Sequence, residues 1–284
     1  MSDTIEYIGS GSVIQHGKLN DRVYLMKLKR EDLTAVMERL EELTREEHYS
    51  KLFCKVPGGL AYRFLEEGFI REGQIPRFYD GDEDALFLSR FNDPARLANK
   101  PEEELARFRQ LLSEPLKQSD QSKRWRDYSL RELEQSDAEQ IAKIYAQVFE
   151  SYPFPIHDPA YIVKMMTEDV QYFGVFRGDE LAALSSAEID FDTHSAEMTD
   201  FATDSAHTGH SLSCLLLQCM EEAMQRQGIK TLFTIARLAS IPMNKTFLRF
   251  GYHYSGTFIN NTQISGHIES MNLYYKHISL KAES

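Results

Sequence analysis

The amino-acid sequence predicts an α/β protein whose main domain, a mixed β-sheet flanked by helices, is preceded by a partial α/β half of the same kind. The first observation is that strand-like and helix-like segments alternate through residues 126–278, as in proteins whose helices cover a sheet. The second is a repeat. Helix, strand, helix, glycine–aromatic and strand occur in that order in residues 33–91 and again in residues 212–276, which indicates a duplicated unit.

The composition is typical of a globular protein. Of the 284 residues, 42% are hydrophobic and 27% are charged. No apolar run approaches the roughly 18 residues that a membrane-spanning helix needs, and the N-terminus lacks the basic start and apolar core of a signal peptide. Three cysteines, Cys54, Cys214 and Cys219, are too few and too scattered for a disulfide framework. We therefore expect a cytoplasmic protein.

The charge distribution bears on the partner. A net charge of −12 argues against nucleic acid or a membrane surface. Residues 126–284 hold 21 acidic and 12 basic residues, whereas residues 1–125 hold 23 and 20. An acidic field over the second half favours a small cationic ligand. The alternative, that the excess acid only keeps the protein soluble, stays open.

Composition also predicts the domain limits. Residues 99–125 are polar and charged, with a short helical stretch followed by a proline-, glutamine- and serine-containing segment, so we interpret them as a linker. Residues 1–98 then form the partial half, which lacks a glycine-bearing loop and is expected not to be catalytic. Residues 126–278 form the catalytic domain.

The elements of the second half follow from hydrophobic periodicity and turn residues. A strand at residues 128–134 precedes a helix that we expect Ser136 to cap, with Glu139 completing a capping box. The further predicted elements are a helix over 160–169, a hairpin around Gly178-Asp179, a strand over 196–203, a helix over 212–228, a strand over 230–237, a helix over 241–250, and closing strands over 254–261 and 268–276.

One junction in this order predicts a phosphate site. The strand over 196–203 stops at a polar loop, residues 204–211, that runs into the N-terminus of a long helix. Free N–H groups and the positive end of the helix dipole there suit a pyrophosphate. This order of elements resembles the GNAT acetyltransferase fold. In that family the mixed sheet splays at its fourth and fifth strands, and acetyl-CoA enters the gap.

The resemblance is narrower in particular segments. Residues 152–161, 196–203, 235–244 and 258–276, together with 16–28, 50–57 and 75–88 of the first half, are similar to the β-lysine N-acetyltransferases. The resemblance implies transfer of acetyl from acetyl-CoA to β-lysine (3,6-diaminohexanoate), which gives N6-acetyl-β-lysine, a compatible solute. The residues by themselves reach only acetyl-CoA and an amine. A polyamine or other free amine as substrate, and a non-catalytic acyl-CoA-binding module, remain alternatives.

The resemblance also implies where acetyl-CoA binds. The family loop, glutamine or arginine-x-x-Gly-x-Gly/Ala, corresponds here to residues 208–213, in which only Gly209 is a glycine and serines stand at two small-residue positions. The backbone near residues 201–203 is the natural oxyanion donor. The implied acetyl-CoA-binding residues are Phe201, Ala202, Thr203, Thr208, Gly209, His210, Ser211, Leu212, Ser213, Ser240, Asn244 and Phe247. Phe247 stands where many members have a proton-donating tyrosine, so the general-acid step has no assigned residue.

The reaction needs a base, because a lysine-like ammonium has a pKa near 10.4 and must lose a proton before it attacks. Glu197, which opens the splayed strand, is the first candidate. Glu188 on the preceding strand is the second, as base or as ammonium clamp. Asp200 lies three residues beyond Glu197, so along a regular strand it should point to the opposite side. Each of these carboxylates has a purely structural alternative.

The remaining predictions concern the substrate. Arg237 ends a strand and could bind a carboxylate through two hydrogen bonds, or form an ion pair. Tyr152, Phe154, Asn260, Asn261 and Glu269 are pocket candidates by resemblance. His207, His210 and Asp204 lack the spacing and further ligands of a metal site, so none is predicted. The sequence leaves the oligomeric state open, a homodimer included.

Overall fold

A computed structural model describes residues 3–115 and 125–278 of the chain. Its strands are β1 (Thr4–Ile8), β2 (Ser12–Gly17), β3 (Arg22–Lys27), β4 (Lys51–Pro57), β5 (Ile70–Tyr79), β6 (Glu83–Phe91), β7 (Ser129–Glu132), β8 (Val170–Arg177), β9 (Glu180–Asp190), β10 (Ser195–Thr203), β11 (Thr231–Arg237), β12 (His253–Ile264) and β13 (His267–His277). Its helices are α1 (Leu33–Glu47), α2 (Ala61–Glu66), α3 (Pro94–Ala98), α4 (Glu102–Ser113), α5 (Ala138–Val148), α6 (Pro159–Met166), α7 (Leu212–Arg226) and α8 (Ile241–Arg249).

All thirteen strands form one mixed sheet in the order β1-β2-β3-β4-β6-β5-β12-β13-β11-β10-β9-β8-β7. The two halves have the same topology. In the first, β3 runs parallel to β4, which pairs with β6 and then β5; in the second, β10 runs parallel to β11, which pairs with β13 and then β12. Helices α1 and α2 take the places of α7 and α8 in the chain order. The predicted α/β class and the repeat are therefore present in the structure.

The halves meet edge to edge at β5 and β12. Gly73 and Gly256 are the paired residues at this contact. A Cβ atom on Gly256 would lie 2.0 Å from the carbonyl oxygen of Glu72, so only glycine permits this approach. Next to this glycine contact, the buried Lys51 ammonium donates hydrogen bonds to the Glu72 carboxylate at 2.8 Å and to the Ile259 carbonyl at 2.8 Å. The junction is thus tightly packed and hydrogen-bonded.

The sheet of the first half has two different faces because side chains alternate along a strand. Leu52, Cys54 and Val56 point to α1 and α2 and form an apolar core with them. The opposite face of β4 carries Lys51, Phe53 and Lys55. Phe53 belongs to a second core that includes α5 and strands of the second half. This face therefore looks towards the catalytic half, not towards bulk solvent.

The predicted linker contains its expected short helix, α4. Phe108 of this helix is buried, with its ring 5.0 Å from that of Tyr254, so this stretch packs against the second half; residues 116–124 lie outside the described residues. One local expectation is corrected. Ser136 does not cap a helix. A 3₁₀ turn over Gln135–Asp137 precedes α5, and Glu134 and Asp137 form the capping box instead.

The other predicted elements of the second half are confirmed within a few residues. In residues 3–115 and 125–278, no helix is long and apolar enough to cross a membrane.

Candidate active site

Two glutamates form the centre of the site. Glu188 on β9 and Glu197 on β10 face each other across the ladder as directly paired residues, and both line a cavity of about 310 Å³. A like-charge pair opposite each other on adjacent strands destabilises a sheet, so its presence beside a cavity points to a ligand-binding or catalytic role. The two carboxylates predicted as base candidates are thus brought together.

Asp200 joins this group, against expectation. Strand β10 has an irregularity between Thr199 and Ala202, and Asp200 takes a left-handed φ of 56°. The bulge offsets the strand alternation, so Asp200 influences Glu188 and Glu197 electrostatically. Its carboxylate accepts hydrogen bonds from the Tyr152 hydroxyl and, at 3.0 Å, from the Ser186 hydroxyl.

The first half supplies one wall of the cavity, which the sequence did not predict. Arg22, Tyr24 and Met26 alternate along β3 towards the cavity, and Phe53 and Lys55 do so along β4. The Lys55 ammonium lies 5.4 Å from the Phe233 ring centroid on β11. The cavity therefore lies between the two halves, and the partial half contributes part of the site.

The carboxylates have raised pKa values. Burial raises the pKa of Glu197, the negative charge of Asp200 raises it further, and the Lys55 ammonium opposes both. Burial and the negative charges of Glu197 and Asp200 likewise raise the pKa of Glu188. Glu188 lines the cavity and its side chain is exposed to solvent, so water screens part of this effect. The group can hold a proton near neutral pH, as a general base must.

This arrangement predicts a pH-dependent gain in stability for Glu197→Gln. The folded-state pKa of about 7 lies above the ordinary value of 4.5, so the folded protein binds more protons between these limits and its stability falls as pH rises. Glutamine removes that loss. Allowing for water in the cavity, we expect a gain of about 1–2 kcal/mol at pH 8, or about 2–8 °C in Tm, and much less at pH 4.5. Thermal unfolding at both pH values checks this; an equal change at both would contradict it.

A second cavity lies where β10 and β11 separate. Their parallel pairing covers only Ser195–Glu197 against Thr231–Phe233. Beyond it the strands diverge, and a space of about 200 Å³ opens. Phe201, Arg237, Ser240 and Phe247 line it. Of these, Phe201, Ser240 and Phe247 are candidates for binding acetyl-CoA, whereas Arg237 is a candidate for binding the substrate carboxylate. Five residues border both cavities: Tyr152, Thr199, Ile235, Ile264 and Met271. The two spaces therefore adjoin.

The predicted phosphate loop lies before α7. Thr208, Gly209 and His210 are exposed, and Ser211 has a left-handed φ of 58° and makes no side-chain cap to α7. The N–H groups of Leu212 and Ser213, at the start of α7, therefore have no capping side chain. The Trp125 indole donates to the His210 carbonyl at 3.2 Å, which anchors the loop. Among the described residues, no atom lies within 4 Å of the Cβ position of Gly209, the glycine of this loop.

Several predicted residues have partners that limit their roles. The Arg237 guanidinium donates to the buried Glu269 carboxylate at 2.8 Å and through a second, shorter contact. Asn260 donates to the backbone carbonyls of Arg96 and Asn99. Asn244 is buried, with its amide bonded to backbone carbonyls and to Tyr274. These contacts within the protein occupy the side chains of Arg237, Asn260 and Asn244, so the structure gives each of them a structural role.

Three of the predicted pocket residues do line a cavity. Tyr152, Phe154 and Asn261 line the larger of the two, which also contains Glu188 and Glu197. Ala202 is buried in the core, so only its backbone could reach a ligand. Thr203 is half-buried and lines neither cavity. Residues 3–115 and 125–278 contain no group of three or more histidine, cysteine, aspartate or glutamate side chains arranged to hold a metal ion.

Comparison with known proteins gives two relatives that match nearly the whole chain. The acetyltransferase (GNAT) family matches residues 123–252. The β-lysine N(6)-acetyltransferase of Methanococcus maripaludis is 38% identical over 93% of this chain and 96% of its own length. N-acetyltransferase YodP of Bacillus subtilis is 27% identical over 98% and 100%. The β-lysine N(6)-acetyltransferase of Methanosarcina mazei is 32% identical over 56% and 58%.

Proposed function

The chain belongs to the GNAT acetyltransferases, in the family of the β-lysine N(6)-acetyltransferases, and from this premise we propose that it acetylates the terminal amine of β-lysine with acetyl-CoA. The first two relatives match both halves of the chain, and the structure shows both halves lining one cavity. The observation that carries the proposal is the acidic group at Glu188, Glu197 and Asp200, beside the gap between β10 and β11.

The acidic group supports binding of a cationic amine. Glu188 and Glu197 face the larger cavity. Burial and then the negative charge of Glu197 raise the pKa of Glu188, and an ammonium bound between the two carboxylates relieves this repulsion. The bound ammonium then passes its proton to Glu197, directly or through one water. The free amine is left beside the passage to the second cavity. Holding both substrates in this way makes attack intramolecular in effect.

Acetyl-CoA is the second substrate, and the residues present fit it. The uncapped N-terminus of α7 suits its pyrophosphate, and the gap between β10 and β11 suits its pantetheine arm. When bound, it supplies the thioester carbonyl that the amine attacks. Along β10 beyond Glu197, N–H groups on the side of β11 have no partner in that strand and can stabilise the oxyanion. The nitrogen–carbon bond forms and the carbon–sulfur bond breaks, with the thiolate leaving. The second proton of the attacking nitrogen passes through water to the thiolate, so that CoA is released as the thiol.

Rates with several amines test the proposal. β-Lysine, L-lysine and spermidine are each incubated with the protein and acetyl-CoA, and release of CoA thiol is followed. We expect the highest kcat/KM for β-lysine. A higher value for spermidine would favour the alternative polyamine function. Binding of acetyl-CoA in calorimetry without turnover of any amine would instead indicate an acyl-CoA-binding module.

The product and the location follow from the same proposal. Acetylation removes one positive charge from β-lysine and leaves a zwitterion with no net charge, which suits a compatible solute. Cys54, Cys214 and Cys219 are free thiols, which favours a reducing compartment such as the cytoplasm. Accumulation of the acetylated product inside cells at high salt, and its loss on gene deletion, would test this role.

A further inference from the structure

Arg22 on β3 is a buried cation at the cavity without a carboxylate partner. It is 4% exposed, and among the described residues no carboxylate oxygen lies within the 4.0 Å of an ion pair. One terminal nitrogen, Nη1, donates to the Asn261 carbonyl at 2.8 Å and to the Thr262 hydroxyl at 3.1 Å. The guanidinium has three further N–H groups outside Nη1, and these have no hydrogen-bond partner in the described parts of the chain. A buried, unpaired charge is costly, so it calls for an anionic ligand.

Two neighbouring amides are also incompletely satisfied. Gln15, paired with Tyr24 across the β2–β3 ladder, is 2% exposed and its Nε2 has no hydrogen-bond partner. Asn261 is 1% exposed and its Oδ1 has none either. Both residues line the same cavity as Arg22. Buried polar groups are rarely left unpaired without a reason, and here three of them share one wall.

This polar wall is separate from the acidic group. The Arg22 guanidinium lies 5.2 Å from the Tyr24 ring centroid and 5.6 Å from that of Phe53. Tyr24 in turn interacts electrostatically with Glu197 and Glu188, whereas the charged groups that influence Arg22 are Asp3 and Arg96. The aromatic rings therefore stand between a cationic end and an anionic end of one cavity.

We propose that Arg22 and Gln15 bind the carboxylate of the amino-acid substrate, and that the Asn261 amide accepts a hydrogen bond from the adjacent 3-ammonium. The inference rests on the proposed function and adds the recognition of the substrate's zwitterionic end. A guanidinium binds a carboxylate through two parallel hydrogen bonds, and Gln15 can add a third. With this end fixed at Arg22, the remote amine extends past Tyr24 to Glu197. The subsite thus selects the terminal amine for acetylation.

Arg237 is the competing candidate, and the structure disfavours it. Its guanidinium is already neutralised by Glu269, and it lines the cavity between β10 and β11, not the one that holds Glu188 and Glu197. A substrate carboxylate there would have to displace Glu269 and occupy the acetyl-CoA side. Arg237 therefore provides a comparison: a half-buried arginine that lines the adjoining cavity and has a different predicted role.

The test compares β-lysine with pentane-1,4-diamine, which has the same two amines but no carboxylate. We expect Arg22→Met to lower kcat/KM for β-lysine about 100-fold, mainly through KM, with little effect on the diamine. Arg22→Lys keeps the charge but loses the paired geometry and should recover part of the preference. The Gln15 amide nitrogen has no hydrogen-bond partner among the described residues, so Gln15→Leu removes no hydrogen bond of that nitrogen. It should lower kcat/KM for β-lysine about 10-fold. Arg237→Met should affect both substrates equally.

The outcomes separate the inference from the proposed function. An unchanged ratio of the two substrates in both Arg22→Met and Gln15→Leu overturns the inference while the acetyltransferase function stands. A ratio that collapses only in Arg237→Met also overturns it. If the wild-type protein acetylates neither compound, the proposed function itself fails. If Arg22→Met does not fold, Gln15→Leu and Arg22→Lys decide. Gln15→Leu keeps the hydrogen bonds of Arg22 to Asn261 and Thr262, and the lysine of Arg22→Lys can donate to the same two residues.

Discussion

Replacing Glu197 by glutamine is expected to lower kcat about 10²–10³-fold at pH 8, the range that loss of a general base produces. Glutamine has nearly the same shape but cannot take the proton from the ammonium. The raised pKa of Glu197, about 7, means that the wild-type rate should climb with pH up to roughly neutrality, because only the deprotonated carboxylate acts as base. The variant should lose this rise. Steady-state rates between pH 5.5 and 9 measure both effects.

Glu188→Gln is the matched control, since Glu188 is paired with Glu197 across the ladder. With a pKa of about 8, Glu188 is still protonated while Glu197 titrates near 7, and glutamine resembles that protonated form, so the rising part of the profile should stay near neutrality with a smaller loss of rate, about 10-fold. If Glu197→Gln kept near-normal activity while Glu188→Gln abolished it, the base would be Glu188. Normal rates in both variants would exclude the pair from proton transfer.

Gly256→Ala is the second large expected effect, because it acts where the two halves meet. The new Cβ would lie 2.0 Å from the Glu72 carbonyl oxygen and 2.9 Å from the Gly73 Cα. Both are backbone atoms of β5, so relief requires the strands to separate. We expect a loss of roughly 3–5 kcal/mol, which is about 6–20 °C in Tm. The moved cavity wall should also raise KM for the amine.

Gly251→Ala provides the control for this substitution. Gly251 also has a left-handed φ, 80°, but no atom lies within 4 Å of its Cβ position. It should therefore show only the conformational cost of alanine in that region, about 1 kcal/mol. Comparable Tm losses in the two variants would show that the close approach of β5 and β12 is not what Gly256 provides.

The order of elements in the second half was predictable because each element is set by local sequence. The apolar segment KTLFTIAR, residues 230–237, fits a buried strand, and the long apolar segment ending at Gly228 fits a helix. These patterns predicted the fold class and the strand that carries Glu197. The limits of the helix at Ser136 were wrong because two alternative caps, Ser136 with Glu139 and Glu134 with Asp137, lie within one turn, and only the fold decides between them.

The shared cavity was not predictable in the same way. It depends on pairing of β5 with β12, residues about 180 apart in the chain, and no local pattern encodes a contact of that separation. A signal was nevertheless present in KLFCKVP, where Leu52, Cys54 and Val56 alternate with Lys51, Phe53 and Lys55. An apolar face opposite a mixed cationic and aromatic face is unusual for a strand buried on both sides. It marks a wall that meets ligand and partner residues.

Asp200 illustrates a further limit of sequence reasoning. Strict alternation sends it away from Glu197, but a bulge between Thr199 and Ala202 changes the side on which it lies. Bulges of this kind re-aim side chains next to active sites, and no glycine marks this one. The partners of Arg237, Asn244 and Asn260 could not be predicted either. The sequence around a polar residue does not show whether its side chain binds a ligand or another part of the protein.

The central claim is that acetyl is transferred to the terminal amine of β-lysine in the cavity between the two halves. Its most direct test is an NMR analysis of the product formed from β-lysine and acetyl-CoA carrying ¹³C in the acetyl carbonyl. We predict one new amide whose carbonyl couples through the amide nitrogen to the protons on carbon 6. An acetyl group on the 3-amine, or no acetylated product from active protein, would contradict the account.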